Sequence, residues 1–153
     1  MNKGALLAIC GLIAAMSLAA FGCGDSSDEA TASLTRDQYL AQGNAICKKG
    51  TEERGKGYQA AEAKLKPGKV LSKKEREELV LGVFITPYEK TIAGLEELEA
   101  PSGDEQEIAA IIKAMEEAQA DVEANPLVGL HSTRQFFDVN AMVQKYGLKD
   151  CVV

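Results

Sequence analysis

No tryptophan occurs in this chain, and histidine occurs once, as His131. A triad-type site needs a positioned nucleophile and an orienting acid around its histidine. No recognisable nucleophile motif accompanies His131, which reads as a surface turn residue just ahead of a helix. Aromatic residues make up only 5% of the sequence, so a glycosidase-type pair of carboxylates would lack the platforms that hold a sugar. Calcium-loop, phosphate-loop and dinucleotide fingerprints are missing. So is Cys-x-x-Cys, and neither a zinc knuckle nor a thioredoxin-type centre is supported. No stretch alternates apolar and polar residues with the period of a strand. Basic residues are outnumbered 17 to 23, for a net charge of −6, whereas a nucleic-acid binder would show a basic face. The chain is read as a non-enzyme with no cofactor and no metal ligand set.

What is present begins with an address. Lys3 precedes an apolar run from Ala5 to Phe21, and small residues surround Cys23, the layout of an export signal. Ala20-Phe21-Gly22-Cys23 resembles a bacterial lipobox, in which the cysteine is lipidated and becomes the mature N-terminus. The rivals are plain secretion and an uncleaved membrane helix, although the run falls just short of the ~20 residues that span a bilayer comfortably. The expected organisation is a lipoprotein signal over residues 1–22, a lipidated Cys23 and flexible tether over 23–33, and a helical domain over 34–153. The small, polar, acidic tether (DSSDEATAS, 25–33) has nothing to bury.

With Cys10 in the signal and Cys23 acylated, Cys47 and Cys151 remain. In an oxidising compartment they are expected to pair, closing a loop of about 100 residues that stabilises by up to ~4–5 kcal/mol on a chain-entropy account. Two unrelated buried thiols are the alternative.

Four Ser/Thr residues are followed three positions later by Glu or Gln: Thr35 with Gln38, Ser72 with Glu75, Ser102 with Glu105, and Ser132 with Gln135. Each is a capping-box signature at the head of a segment with a 3.6-residue apolar period. The first helix is expected from Arg36 to Leu65, with Tyr39, Ile46 and Cys47 inward. Gly43, Gly50, Gly55 and Gly57 lie within it, each costing up to ~1 kcal/mol in a helix interior. They are read as fraying or a break near Gly50–Gly57, in preference to a surface for close helix approach.

The second helix, Lys73 to Glu99, carries Leu81, Phe84, Ile85, Tyr88, Ile92 and Leu95. Pro87 inside it predicts a kink near Val83–Thr86, with Phe84, Pro87 and Tyr88 as the candidate pocket beside it. The third, Asp104 to Ala124, shows Ile108, Ile111, Ile112, Met115, Ala118 and Val122, and Asn125-Pro126 stops it. The fourth, Thr133 to Tyr146, shows Phe136, Val139, Val143 and Tyr146, with Gly147 as a left-handed terminator and Leu148 folding back. The fold predicted is all-α, a four-helix up-down-up-down bundle with one disulfide. That topology returns the end of the fourth helix to the first, where Cys47 and Cys151 must meet.

LTRDQYLAQGNAICKKG (34–50) and YGLKDC (146–151), together with the lipobox cysteine, resemble motifs of small secreted lipoproteins of actinobacteria. Tyr39, Ile46 and Cys47 match the first motif; Tyr146, Gly147, Leu148 and Cys151 match the second. The resemblance spans nearly the whole mature chain. It implies a disulfide between the two cysteines and an extracytoplasmic, lipid-anchored location, and attaches no activity.

Lys64, Lys66, Lys69, Lys73, Lys74 and Arg76 gather across the link between helices one and two. They are read as a solvated turn, with contact to an anionic surface as the functional alternative. The acidic groups Glu96-Glu97-Glu99, Glu116-Glu117 and Asp121-Glu123 read as solvent faces. The functional expectation is a partner- or small-ligand-binding module, lipid-anchored at the outer face of the cell membrane and without a nucleic-acid partner. An envelope-acting hydrolase and a self-associating structural module are the alternatives.

Overall fold

The computed structural model describes residues 33–129 and 134–153. The signal, Cys23, most of the tether, His131 and the cap residue Ser132 lie outside the described residues. The helices are α1 (Arg36–Ala63), α2 (Lys73–Val80), α3 (Thr86–Glu96), α4 (Glu105–Ala124), the single turn α5 (Pro126–Gly129) and α6 (Arg134–Tyr146). Five residues of π-helix, Leu81–Ile85, join α2 to α3 without a break. A short 3₁₀ turn, Lys149–Cys151, follows α6. Among the described residues there is no strand.

The chain is an all-α bundle closed as a ring. α1 packs on α3, α3 on α4, α4 on α6, and the 3₁₀ turn after α6 packs back on α1. The stripes of the sequence form its core: Tyr39 and Cys47 from α1; Tyr88, Ile92 and Leu95 from α3; Ile108, Ile111, Met115 and Val122 from α4; Phe136, Val139, Val143 and Tyr146 from α6. Cys47 and Cys151 are bonded, with Cα atoms 4.8 Å apart. Gly147 terminates α6 at φ +110°, where a side chain would strain the backbone. Leu148 then donates its N–H to the Val143 carbonyl at 2.8 Å and buries its side chain.

Three expectations require correction. The glycines do not break α1, which runs unbroken through all four. Gly43, Gly50 and Gly57 admit their neighbours instead. A Cβ at Gly43 would stand 2.6 Å from Leu148, one at Gly57 would stand 3.0 Å from Val83, and one at Gly50 would collide with the Thr91 hydroxyl. Ser102 does not cap α4: Gly103, at φ +92°, sits in a turn closed by Asp104 N–H to the Pro101 carbonyl. The helix then starts at Glu105, whose carboxylate accepts from Gly103 N–H at 2.8 Å. The boxes at Thr35 and Ser72 form as read.

The third correction concerns Leu81. Ahead of Pro87, where a distortion was expected, the turn is widened: Thr86 N–H reaches the Leu81 carbonyl, five residues back. The Thr86 hydroxyl reaches the same oxygen at 3.2 Å. One extra residue in a turn rotates the preceding stripe by ~100°. Val80 is therefore fully buried and Leu81, expected inside, is 37% exposed.

Candidate functional site

Phe84 and Tyr88, anticipated with Pro87 as a pocket, pack against aromatic neighbours. The Phe84 and Tyr88 rings stack at 5.9 Å, and Phe136 from α6 meets both edge-on at 5.5 Å. These three rings are packing, not lining. Pro87 borders a recess of about 160 Å³ shared with Gly50, Thr91 and Gly94.

The basic cluster is brought together at the α1–α2 link, but half of it is matched by acids. Lys69 pairs with Glu75 at 2.6 Å, Lys73 with Glu77 and Lys74 with Glu78 at 3.7 Å. The last two are exposed i,i+4 helix pairs, a type worth about 0.3–0.5 kcal/mol. Lys64, Lys66 and Arg76 make no ion pair among the described residues. Glu75 is the organiser. It accepts from Lys69, from Ser72 N–H at 2.8 Å and from the Ser72 hydroxyl at 2.8 Å. Hydrogen bonds from Lys69 and Ser72 hold its carboxyl at about 2, below the ordinary 4.5.

Beside this link lies an apolar groove that the sequence patterns did not reveal. α1 packs closely on the π-turn, yet α1 and α2 do not pack along their lengths. They splay toward the link. The space between them, about 410 Å³, is floored by Tyr58, Ala61 and Leu65 of the α1 side and by Leu71 and Leu79 of the α2 side. Glu62, Lys64 and Glu75 stand around it. Tyr58 and Leu65 are each 39% exposed and Val70, at the tip, 84%. Bulky apolar side chains facing one concave space are the ordinary lining of a small-molecule site. The available signal was the i, i+3, i+7 spacing of Tyr58, Ala61 and Leu65, which continues the α1 stripe past the point where the bundle covers it.

Other recesses have a different character. One of about 360 Å³ between α4 and α6 is bordered by Glu117, Asp121, Arg134 and Asp138. Another, of about 340 Å³ between α3 and α4, is bordered by Glu89, Glu96, Glu116 and Glu123. Those carboxylates are all exposed, and among the described residues no Asp or Glu is buried. Nor is any group of three His, Cys, Asp or Glu side chains placed to hold a metal ion among them. No helix of the described residues is long and apolar enough to cross a membrane.

A different cluster pins the bundle's other end. Asp104 pairs with Arg36 at 3.2 Å and accepts from the Tyr146 hydroxyl at 2.9 Å, while Arg36 lies 4.3 Å above the Tyr146 ring. Burial first, then the Asp104 hydrogen bond and charge, raise the Tyr146 pKa. This trio joins α1, α4 and α6 where each begins or ends, and its donors and acceptors are used on one another.

Comparison with protein-family models, with curated proteins and with solved structures finds no match to this chain.

Proposed function

We propose that this chain is a lipid-anchored protein of the extracytoplasmic membrane face whose helical bundle binds a small apolar ligand in the α1–α2 groove. The address rests on the sequence: one cation, an apolar run, and Cys23 between two glycines. The likeness to secreted actinobacterial lipoproteins agrees with it. An acylated Cys23 gives stable anchoring only with two acyl chains, since a single chain binds membranes marginally.

The observation that carries the binding reading is the groove floor. Tyr58, Leu65, Leu71 and Leu79 face about 410 Å³ of open space. Covering such side chains with a ligand gains roughly 25 cal/mol per Å² of apolar surface removed from water. A hydrolase would draw its acid and base from carboxylates in sheltered surroundings. The binding reading is the one with a positive observation behind it.

Two measurements test it. Cys23→Ser should move the protein from the membrane fraction to the released fraction; continued sedimentation with membranes would replace the lipid anchor by an uncleaved helix. On the released chain, 1-octanol should bind saturably. Leu65→Gln with Leu71→Gln should weaken that binding at least tenfold without altering helical circular dichroism. Binding indifferent to both leucines would reject the groove.

A further inference from the structure

We propose that the link between α1 and α2 docks on the headgroup region of an anionic lipid bilayer, its lysines against the phosphates and Val70 inserted among them. The contact does not depend on the groove taking a ligand. The link is a projecting turn. Pro67 and Gly68 occupy its corners, with Gly68 at φ +78° and Lys69 N–H donating to the Lys66 carbonyl at 3.0 Å. Proline followed by a positive-φ glycine is the composition of a type II turn, whose first and last Cα atoms lie within ~7 Å. The backbones of Lys66 and Lys69 therefore stand side by side at the tip. Residues 62–70 are all exposed.

Between positions 64 and 74 lie five lysines and no acid, in a chain of net charge −6. Lys64 and Lys66 make no ion pair among the described residues, and neither does Arg76. Lys69 is tied to Glu75. Lys73 and Lys74 reach Glu77 and Glu78 at 3.7 Å, through lysine side chains 76% and 85% exposed. Exposed pairs of this kind gain so little that another anion displaces them readily. Other exposed faces are acidic, as at Glu89, Glu96, Glu116 and Glu123 between α3 and α4. A negatively charged surface attracts the link and repels those faces, which orients the bundle before contact.

Charge alone suits any polyanion, and Val70 narrows the class. This apolar side chain, 84% exposed, directly follows Lys69, and the part-exposed Leu65 lies between Lys64 and Lys66 in sequence. In water both present apolar surface with nothing to cover it. At a bilayer, apolar side chains enter the edge of the acyl region while neighbouring lysines extend to the phosphates. Lys64 and Leu65 also border the groove, so docking sets the groove's mouth at the lipid. At ~0.15 M salt charge reaches only ~8 Å. A contact of so few cations then acts beside a lipid anchor, not in place of one.

Flotation of the exported Cys23→Ser chain with vesicles tests this, using phosphatidylcholine alone or mixed with phosphatidylglycerol. In about 10 mM salt, where charge acts over ~30 Å, the chain should float with the mixed vesicles and not with phosphatidylcholine, and about 1 M salt should release it. Lys64→Gln with Lys66→Gln should weaken binding about tenfold or more, and Val70→Ser about threefold. Lys113→Gln with Lys145→Gln removes as many cations from exposed positions on α4 and α6 and should change it by less than about twofold. Equal flotation with both vesicle types overturns the proposal, as does unchanged binding when Lys64 and Lys66 are neutralised. An equal loss in the Lys113 and Lys145 control makes the effect one of net charge and overturns it too. If Val70→Ser floats as the parent chain does, and inorganic polyphosphate strips both from the vesicles equally, the link reads charge alone and a soluble polyanion replaces the bilayer.

Discussion

Glu75 shows how one side chain sets the shape of the candidate site. Its carboxylate closes the N-terminus of α2 through Ser72 and ties back Lys69 from the link, fixing one wall of the groove. Because its pKa is depressed in the folded chain, its contribution is complete above 4.5 and is lost as the pH falls toward about 2. Amide exchange at Ser72–Glu75 should therefore accelerate over that interval beyond the intrinsic trend. Glu75→Gln should remove the pH dependence and leave exchange already fast at neutral pH. A pH-independent wild type would mean that Lys69 and Ser72 do not hold this carboxylate. At this scale the capping partners at Thr35 and Ser72 were legible, since a box spans three residues and needs no knowledge of the fold; Ser102 was misleading, because the turn at Gly103 comes before the helix starts.

Among the helices, the glycines of α1 distinguish a contact from a cost. At Gly55 nothing lies within 4 Å of where a methyl group would stand, whereas Gly50 faces the Thr91 hydroxyl, itself buried and bonded to the Pro87 carbonyl at 2.9 Å. Gly55→Ala should stabilise by up to ~1 kcal/mol through helix propensity. Gly50→Ala gains the same propensity, but forces Thr91 aside and should destabilise by about 1–2 kcal/mol net. Urea unfolding midpoints moving in opposite directions would verify both; stabilisation by both would show that α1 and α3 are not in close contact at Gly50. The sequence displayed the seven-residue spacing of Gly43, Gly50 and Gly57 but not what lies opposite. A break and a close approach use the same residue and differ only in long-range packing. The apolar stripes were legible because periodicity is local. The phase shift at Leu81 was not, because Pro87 announces a distortion without saying whether the turn bends or widens.

The helical bundle of the described residues is closed at one end and open at the other. At the closed end the Cys47–Cys151 bond is flanked by Asn44, whose amide donates to the Gly147 carbonyl at 3.1 Å and accepts from Asp150 N–H at 2.9 Å. Asn140 and Val153 exchange a reciprocal pair at 2.9 Å. Counting cysteines revealed the bond, since only two lie in the segment read as the helical domain. The two asparagines carry no pattern that marks them. At the open end α1 outlasts its partners, and Tyr58 and Leu65 are left facing the splayed wall of Leu71 and Leu79. Leucines at a helix end read as fraying until the neighbouring helix is seen to diverge.

The most direct test follows leucine methyl resonances of the exported Cys23→Ser chain during titration with 1-octanol. Leu65, Leu71 and Leu79 should shift together along one saturating curve, while the buried Leu95 and Leu148 hold their positions. Shifts shared by Leu95 and Leu148, or no movement at the three groove leucines, would contradict a preformed ligand groove at the open end of a closed bundle.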